Sequence, residues 1–177
     1  MKKRTSRMTM IALMTVITII CSQLIIPMTV PFTMQTFAVF AALRILGGVG
    51  GTASFALFLL MGAAGLPVFT GFQGGLGKLA GPTGGYLAGF LLATILYLVF
   101  EKQAERSTLV RWILMLAGLA LCYAAGTAWF ALKHANGRSV WAILGLCVFP
   151  FIIPDIVKIL LADMVGTRVR KAIKKME

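Results

Sequence analysis

Long apolar runs, interrupted by short segments rich in glycine, proline or charge, set the pattern of this chain. They predict helices at roughly residues 8–26, 35–47, 49–64, 83–100, 110–132 and 152–169, each read as a membrane crossing because a span needs about 20 mainly apolar residues. The second and third are short. Gly47, Gly48, Gly50 and Gly51 separate them tightly, so a hairpin that tilts or stops short of one membrane face is expected. Pro27 and Pro31 end the first helix and start an extended loop, because proline cannot continue the backbone ladder. The apolar stretch Val140 to Phe149 is too short to span and is placed along the interface.

Composition turns these runs into a fold class. A chain with 59% hydrophobic and 12% charged residues has too little polar surface to face water, so its solvent is lipid. The expectation is one all-α integral membrane domain over residues 1–177, a bundle of six transmembrane helices with no room for a soluble domain. The net charge of +12 would suggest nucleic acid in a soluble protein. Here the basic residues sit at the chain ends and in short loops, which makes them topology signals and leaves no nucleic-acid partner. With the N-terminus inside, the inner side receives Lys2, Lys3, Arg4, Arg7, Arg44, Lys102, Arg106, Arg111, Arg168, Arg170, Lys171, Lys174 and Lys175. The outer side receives only Lys78, Lys133 and Arg138. Thirteen against three is a strong positive-inside bias, and it puts both termini in the cytoplasm of a multi-pass protein of a prokaryotic cell membrane. No A-x-A cleavage pattern follows the basic start, and Ile20 is too large for a lipoprotein site at Cys21, so the first segment is read as a retained helix. Cys21, Cys122 and Cys147 have neither metal-ligand spacing nor an even count and are read as packing residues.

Between the third and fourth helices, Gly65 to Gly85 reads GLPVFTGFQGGLGKLAGPTGG, too glycine-rich for an ordinary helix. Irregular backbone at membrane depth survives only where protein or a wet cavity satisfies it. The loop therefore either folds inward as a lid or pocket wall, offering Phe69 and Phe72, or runs as a flexible surface connection. Gly75-x-Gly77-x-x-Ala80 has no strand before it, and Gly77-Lys78 lacks both the first glycine, replaced by Phe72, and the Ser or Thr, replaced by Leu79; neither is a nucleotide loop. Gly81, Gly85 and Gly89 share a spacing that permits close helix packing.

Charge inside the spans is rare enough to require a reason. Asp155 and Lys158 stand at i and i+3 near the outer end of the last helix, as a bracing ion pair or as the polar floor of a ligand site. Asp163, two turns deeper, is expected to pair with Arg168. Gln35 and Thr36 either contact a ligand or cap the second helix. Tyr86 is a ligand contact or a member of an interfacial aromatic belt, and Trp129 is read as belonging to that belt. A hydrolase lacks a nucleophile with its base, since the only histidine, His134, lies in a loop beside Lys133; zinc lacks ligands for the same reason. No enzyme, metal site or cofactor is expected. A small channel would need polar stripes along several helices, and only the last helix carries a charged pair.

Five segments then carry a family resemblance: PFTMQTFAV at Pro31 to Val39, GLPVF at Gly65 to Phe69, GGLG at Gly74 to Gly77, GPTGGYL at Gly81 to Leu87, and Pro154-Asp155-x-x-Lys158. In order and composition they resemble the BioY family, the biotin-specific S components of energy-coupling factor (ECF) transporters. The resemblance implies high-affinity biotin capture at the outer face, in a cavity lined by the loops after the first and third helices and by the outer parts of the fourth to sixth. It implies as partners a membrane-embedded coupling subunit and two cytoplasmic ATPase subunits, in keeping with the missing nucleotide loop. On this reading Asp155 accepts from the ureido N–H groups, Phe69, Phe72 and Tyr86 pack on the ring system, and Gln35, Thr36 and Thr83 supply neutral hydrogen bonds. Lys158 or Lys78 meets the carboxylate. The family's A-x-x-x-A docking stripe on the first helix is incomplete, since Ala12 is followed by Val16. An S component for another vitamin is the competing reading.

Overall fold

The computed structural model of the chain describes residues 2–27, 31–134, 137 and 139–176. Arg138, counted above among the loop charges, and the side chains of Lys2, Lys3, His134 and Lys174 lie outside that set. The described residues are almost wholly helical: α1 Lys2–Gln23, α2 Gln35–Ala63, α3 Leu76–Ala80, α4 Gly84–Val99, α5 Glu101–Arg106, α6 Thr108–His134, α7 Val140–Cys147 and α8 Phe149–Met176. Four stretches, Arg4–Gln23, Gln35–Ala63, Thr108–Lys133 and Val140–Ile173, are long and apolar enough to cross a membrane, and Gly84–Val99 is a shorter apolar helix. Many of their Leu, Ile and Val side chains face outward, as a lipid solvent permits.

Residues 35–63 form one helical element, but Gly47 holds φ 78 and ψ 179 inside it, a conformation that only glycine adopts without strain. A carbon placed on Gly51 would come 2.8 Å from the Leu43 Cα, whereas in a straight helix eight residues separate two positions by about 12 Å. The two arms of α2 therefore fold back on each other at Gly47. Glycine supplies both the turn and the close approach.

α1 stops at Gln23, and the chain on either side of the two prolines forms β1, Ile25–Ile26, just before Pro27 and β2, Phe32–Thr33, just after Pro31, paired antiparallel with Ile25 opposite Thr33. α4 and α6 make the most extensive helix contact. Gly89 lies against the Cys122 backbone and Gly85 against Trp129 and the Ala125 carbonyl, so the small-residue stripe works as packing surface in a solvent that gives helices no hydrophobic reason to associate. Gly81 is not part of it; it caps α3 one turn before α4 begins. The buried side chains form two clusters: an aromatic one around Phe55, Phe58, Phe69 and Phe90, and one around Phe40, Leu43, Tyr97 and Met115.

Beyond the second cluster lies a charged knot. Asp163 accepts from Arg111 Nε at 2.9 Å and Arg44 Nε at 3.1 Å, Arg44 reaches Thr167 Oγ1, and Glu105 pairs with Arg170 and with Arg44. The partner expected for Asp163 is corrected: Arg168 faces outward on the same helix. Arg44 and Arg111 arrive from other helices because a buried carboxylate needs a guanidinium that can reach it across the bundle.

Candidate functional site

At the end away from that knot, the elements line a cavity of about 680 Å³ of empty space, counted with its open mouth. α8 supplies its charged floor. Asp155 and Lys158 lie one turn apart and are 5% and 4% exposed. Lys158 Nζ donates to Asp155 Oδ1 at 2.7 Å and to the Thr33 carbonyl at 2.6 Å, and sits 3.5 Å from the Phe32 ring centroid. The ammonium's donors are thus directed to two oxygens and an aromatic face. The Tyr123 hydroxyl donates to Asp155 Oδ2 at 2.7 Å.

The walls are aromatic. Phe69 meets Phe58 edge-on with centroids 5.4 Å apart, Phe90 does the same with Phe55 at 5.9 Å, and Phe151 stacks on Phe32 at 6.2 Å. Tyr86 lies against Gly126 and donates its hydroxyl to the Cys147 carbonyl. Two of the lining residues, Gln35 and Thr83, also carry an unpartnered polar atom among the described residues. Gln35 Nε2 and Thr83 Oγ1 are buried and have no protein partner among the described residues. Capping does not occupy them: the residue before α2 is Met34, and Thr83 makes no side-chain bond to α4. An unpaired buried donor costs about 1–3 kcal/mol, which a ligand acceptor would recover.

Of the residues singled out in the sequence, Gln35, Thr36, Phe69, Lys78, Thr83, Tyr86, Asp155 and Lys158 all line this one cavity. Phe72 does not. It is 73% exposed, holds a left-handed backbone, φ 56, and stands outside the lining in which the sequence reading placed it as a ring contact. Lys78, on α3, has no salt bridge or side-chain hydrogen bond among the described residues, and burial holds its ammonium below the usual lysine pKa. Cys122 and Cys147 line the cavity rather than serving only as packing. Trp129 is more than a belt residue: its Nε1 donates to the Gly81 carbonyl at 3.0 Å and Lys133 lies over its ring.

Thr33, Tyr123, Phe90 and Phe151 also face the cavity without having been singled out. Tyr123 had a usable signal, since a hydroxyl in mid-span must find a protein partner. Thr33 takes part through its backbone carbonyl, which side-chain chemistry cannot reveal. Ala12 and Val16 stand on the exposed face of α1, away from the cavity.

The sequence model of the BioY family matches residues 1–175. The chain is 38% identical to the biotin transporter BioY of Thermotoga maritima over 144 residues, 80% of this chain and 82% of that one. It is 35% identical to the probable biotin transporter BioY of Pyrococcus horikoshii over 168 residues, 94% and 98% of the two chains. The fold matches the crystal structure of the S-component for biotin from an ECF-type ABC transporter with a TM-score of 0.86 and 29% identity, covering 96% of this chain and 93% of that one.

Proposed function

The chain belongs to the BioY family, and from that premise we propose that it is a biotin-specific S component whose ligand site is the cavity between α2, α4, α6 and α8. The observation that carries the site is the pair of unpartnered buried atoms, Gln35 Nε2 and Thr83 Oγ1, beside the Asp155/Lys158 floor. Biotin offers two ureido N–H donors and a carbonyl acceptor, an apolar thioether ring, and a tail ending in a carboxylate. Asp155 keeps free lone pairs on both oxygens for the ureido N–H groups, and Gln35 Nε2 or Thr83 Oγ1 donates to the ureido carbonyl. Phe69, Phe90, Phe151 and Tyr86 hold the ring. The carboxylate goes to Lys78, because Lys158 is already committed to Asp155, Thr33 and Phe32.

The chain is a multi-pass membrane protein, and counting the two arms of α2 separately gives six spans in one domain. The basic residues at the far end orient the cavity outward and both termini inward. Import is powered by a coupling subunit and two ATPase subunits, with Ala12 and Val16 on the docking face of α1; the chain itself performs no catalysis and takes no cofactor. Gln35→Ala and Thr83→Val, which remove the two unpartnered atoms, each weaken biotin binding by roughly 5- to 150-fold, the cost of about 1–3 kcal/mol for an unmade hydrogen bond. Wild-type affinity in both folded variants would move the ligand elsewhere.

A further inference from the structure

The glycine-rich loop walls the cavity with Phe69, Thr70 and Lys78, yet it has little regular structure of its own. Phe69 and Gln73 exchange both backbone bonds across a three-residue turn, and Phe72 within that turn holds a φ of 56, a region that bulky residues seldom enter. A two-bond hairpin does not hold such a conformation unaided. What holds it comes from α1, which contributes no side chain to the cavity wall. Gln23, the last residue of α1, donates from Nε2 to the Val68 and Phe69 carbonyls, both at 3.1 Å, and its Oε1 accepts from the Phe72 N–H at 2.9 Å. Ser22 Oγ donates to the same Val68 carbonyl at 2.8 Å. One amide group thus joins both sides of the turn. Its position is suited to this, since the end of a helix leaves the side chain free of the turns below it and level with the loop.

We propose that Gln23 is a positioning residue for ligand retention: through its three bonds to the 68–73 turn it fixes the Phe69 face against the cavity and the loop over the ligand. It touches no ligand itself. The consequence for biotin rests on the cavity being the biotin site, whereas the consequence for the loop does not. Gln23 acts on the closed loop, so its loss speeds ligand escape far more than it slows entry. Phe72, exposed and strained, is then explained as the residue whose N–H completes the clasp rather than as a ring contact.

The test compares Gln23→Met, which keeps the length and apolar bulk of the side chain and removes its three bonds to the turn, with Ser22→Ala, which removes a single bond to the turn, that to the Val68 carbonyl. Amide exchange of the 66–75 segment is measured on ligand-free protein, and the release of labelled biotin is timed in a chase. In Gln23→Met, exchange in 66–75 and biotin release both quicken by about tenfold or more, on the order of the loss of a few hydrogen bonds. The association rate changes by less than about threefold, exchange in α4 and α6 is unaltered, and Ser22→Ala shows a smaller change in the same direction. Unaltered exchange in 66–75 overturns the clasp. Faster exchange with unaltered release overturns its role in retention. A general rise in exchange across α4 and α6 means that Gln23 supports the bundle, and overturns the proposal too. If the wild-type protein binds no biotin, the site assignment fails, while the exchange result still decides whether Gln23 holds the loop.

Discussion

Replacing Asp155 by leucine separates what the charged floor does for the ligand from what it does for the fold. In the native protein Lys158 is 4% exposed and its Nζ is neutralised by Asp155 at 2.7 Å. Leucine leaves that ammonium with the Thr33 carbonyl as its one oxygen partner, and breaking a buried pair in this way costs about 3–5 kcal/mol. It also removes the acceptor proposed above for the ureido N–H groups, a charge-assisted hydrogen bond worth about 1.5–3 kcal/mol, or roughly 10- to 150-fold in affinity. The second effect is isolated by adding Lys158→Met. Exchanging a whole buried pair for apolar groups of similar volume is often neutral or stabilising, so the double variant regains most of the stability lost by Asp155→Leu. It does not regain biotin. The assays are thermal unfolding of ligand-free protein in detergent and equilibrium binding of labelled biotin. If Asp155→Leu binds biotin at wild-type affinity, or the double variant regains both stability and binding, Asp155 braces the helix and does not meet the ligand.

At the opposite end, Asp163→Ala strands Arg44 and Arg111 in the bundle and costs about 3–5 kcal/mol of stability, read by thermal unfolding, with biotin affinity per folded molecule unchanged because the knot lies away from the cavity. Lys78→Met weakens binding of biotin but not of biotin methyl ester, whose tail carries no charge. The same lysine makes affinity pH-dependent: burial lowers its pKa, so the charged form that attracts the carboxylate is present at lower pH and is lost as pH rises through a value below the usual lysine range. The decline for biotin, measured by titration from neutral to alkaline pH, therefore begins earlier than a free lysine predicts, and the methyl ester shows none of it. Phe72→Ser changes biotin affinity by no more than about twofold, as expected of an outward-facing side chain; a loss beyond about tenfold would place Phe72 in the cavity after all.

The positions of these residues were legible in the sequence to the degree that lipid makes them so. Charged side chains in apolar spans need a reason, which marked Asp155 and Lys158 from the residues alone, whereas Gln35 and Thr83, up to 123 residues away in the chain, were joined to them by the family resemblance. The reversal at Gly47 was legible for a related reason, since four glycines in five positions serve neither helix nor lipid. What sequence did not reveal depends on backbone: the Thr33 carbonyl under Lys158, the left-handed φ of the outward-facing Phe72, and the carbonyls that Gln23 and Trp129 hold. Side-chain chemistry carries no trace of these. The choice of Arg44 and Arg111 over Arg168 for Asp163 was hidden too, because helical spacing ranks partners on the same helix and not those that the fold brings from across the bundle.

Equilibrium binding of radiolabelled biotin to the purified protein asks whether this single chain, without partners, holds biotin in the cavity described. One biotin is retained per chain, displaced by unlabelled biotin and not by riboflavin or thiamine. Folded protein that retains no label, or that yields its label equally to another vitamin, would contradict it.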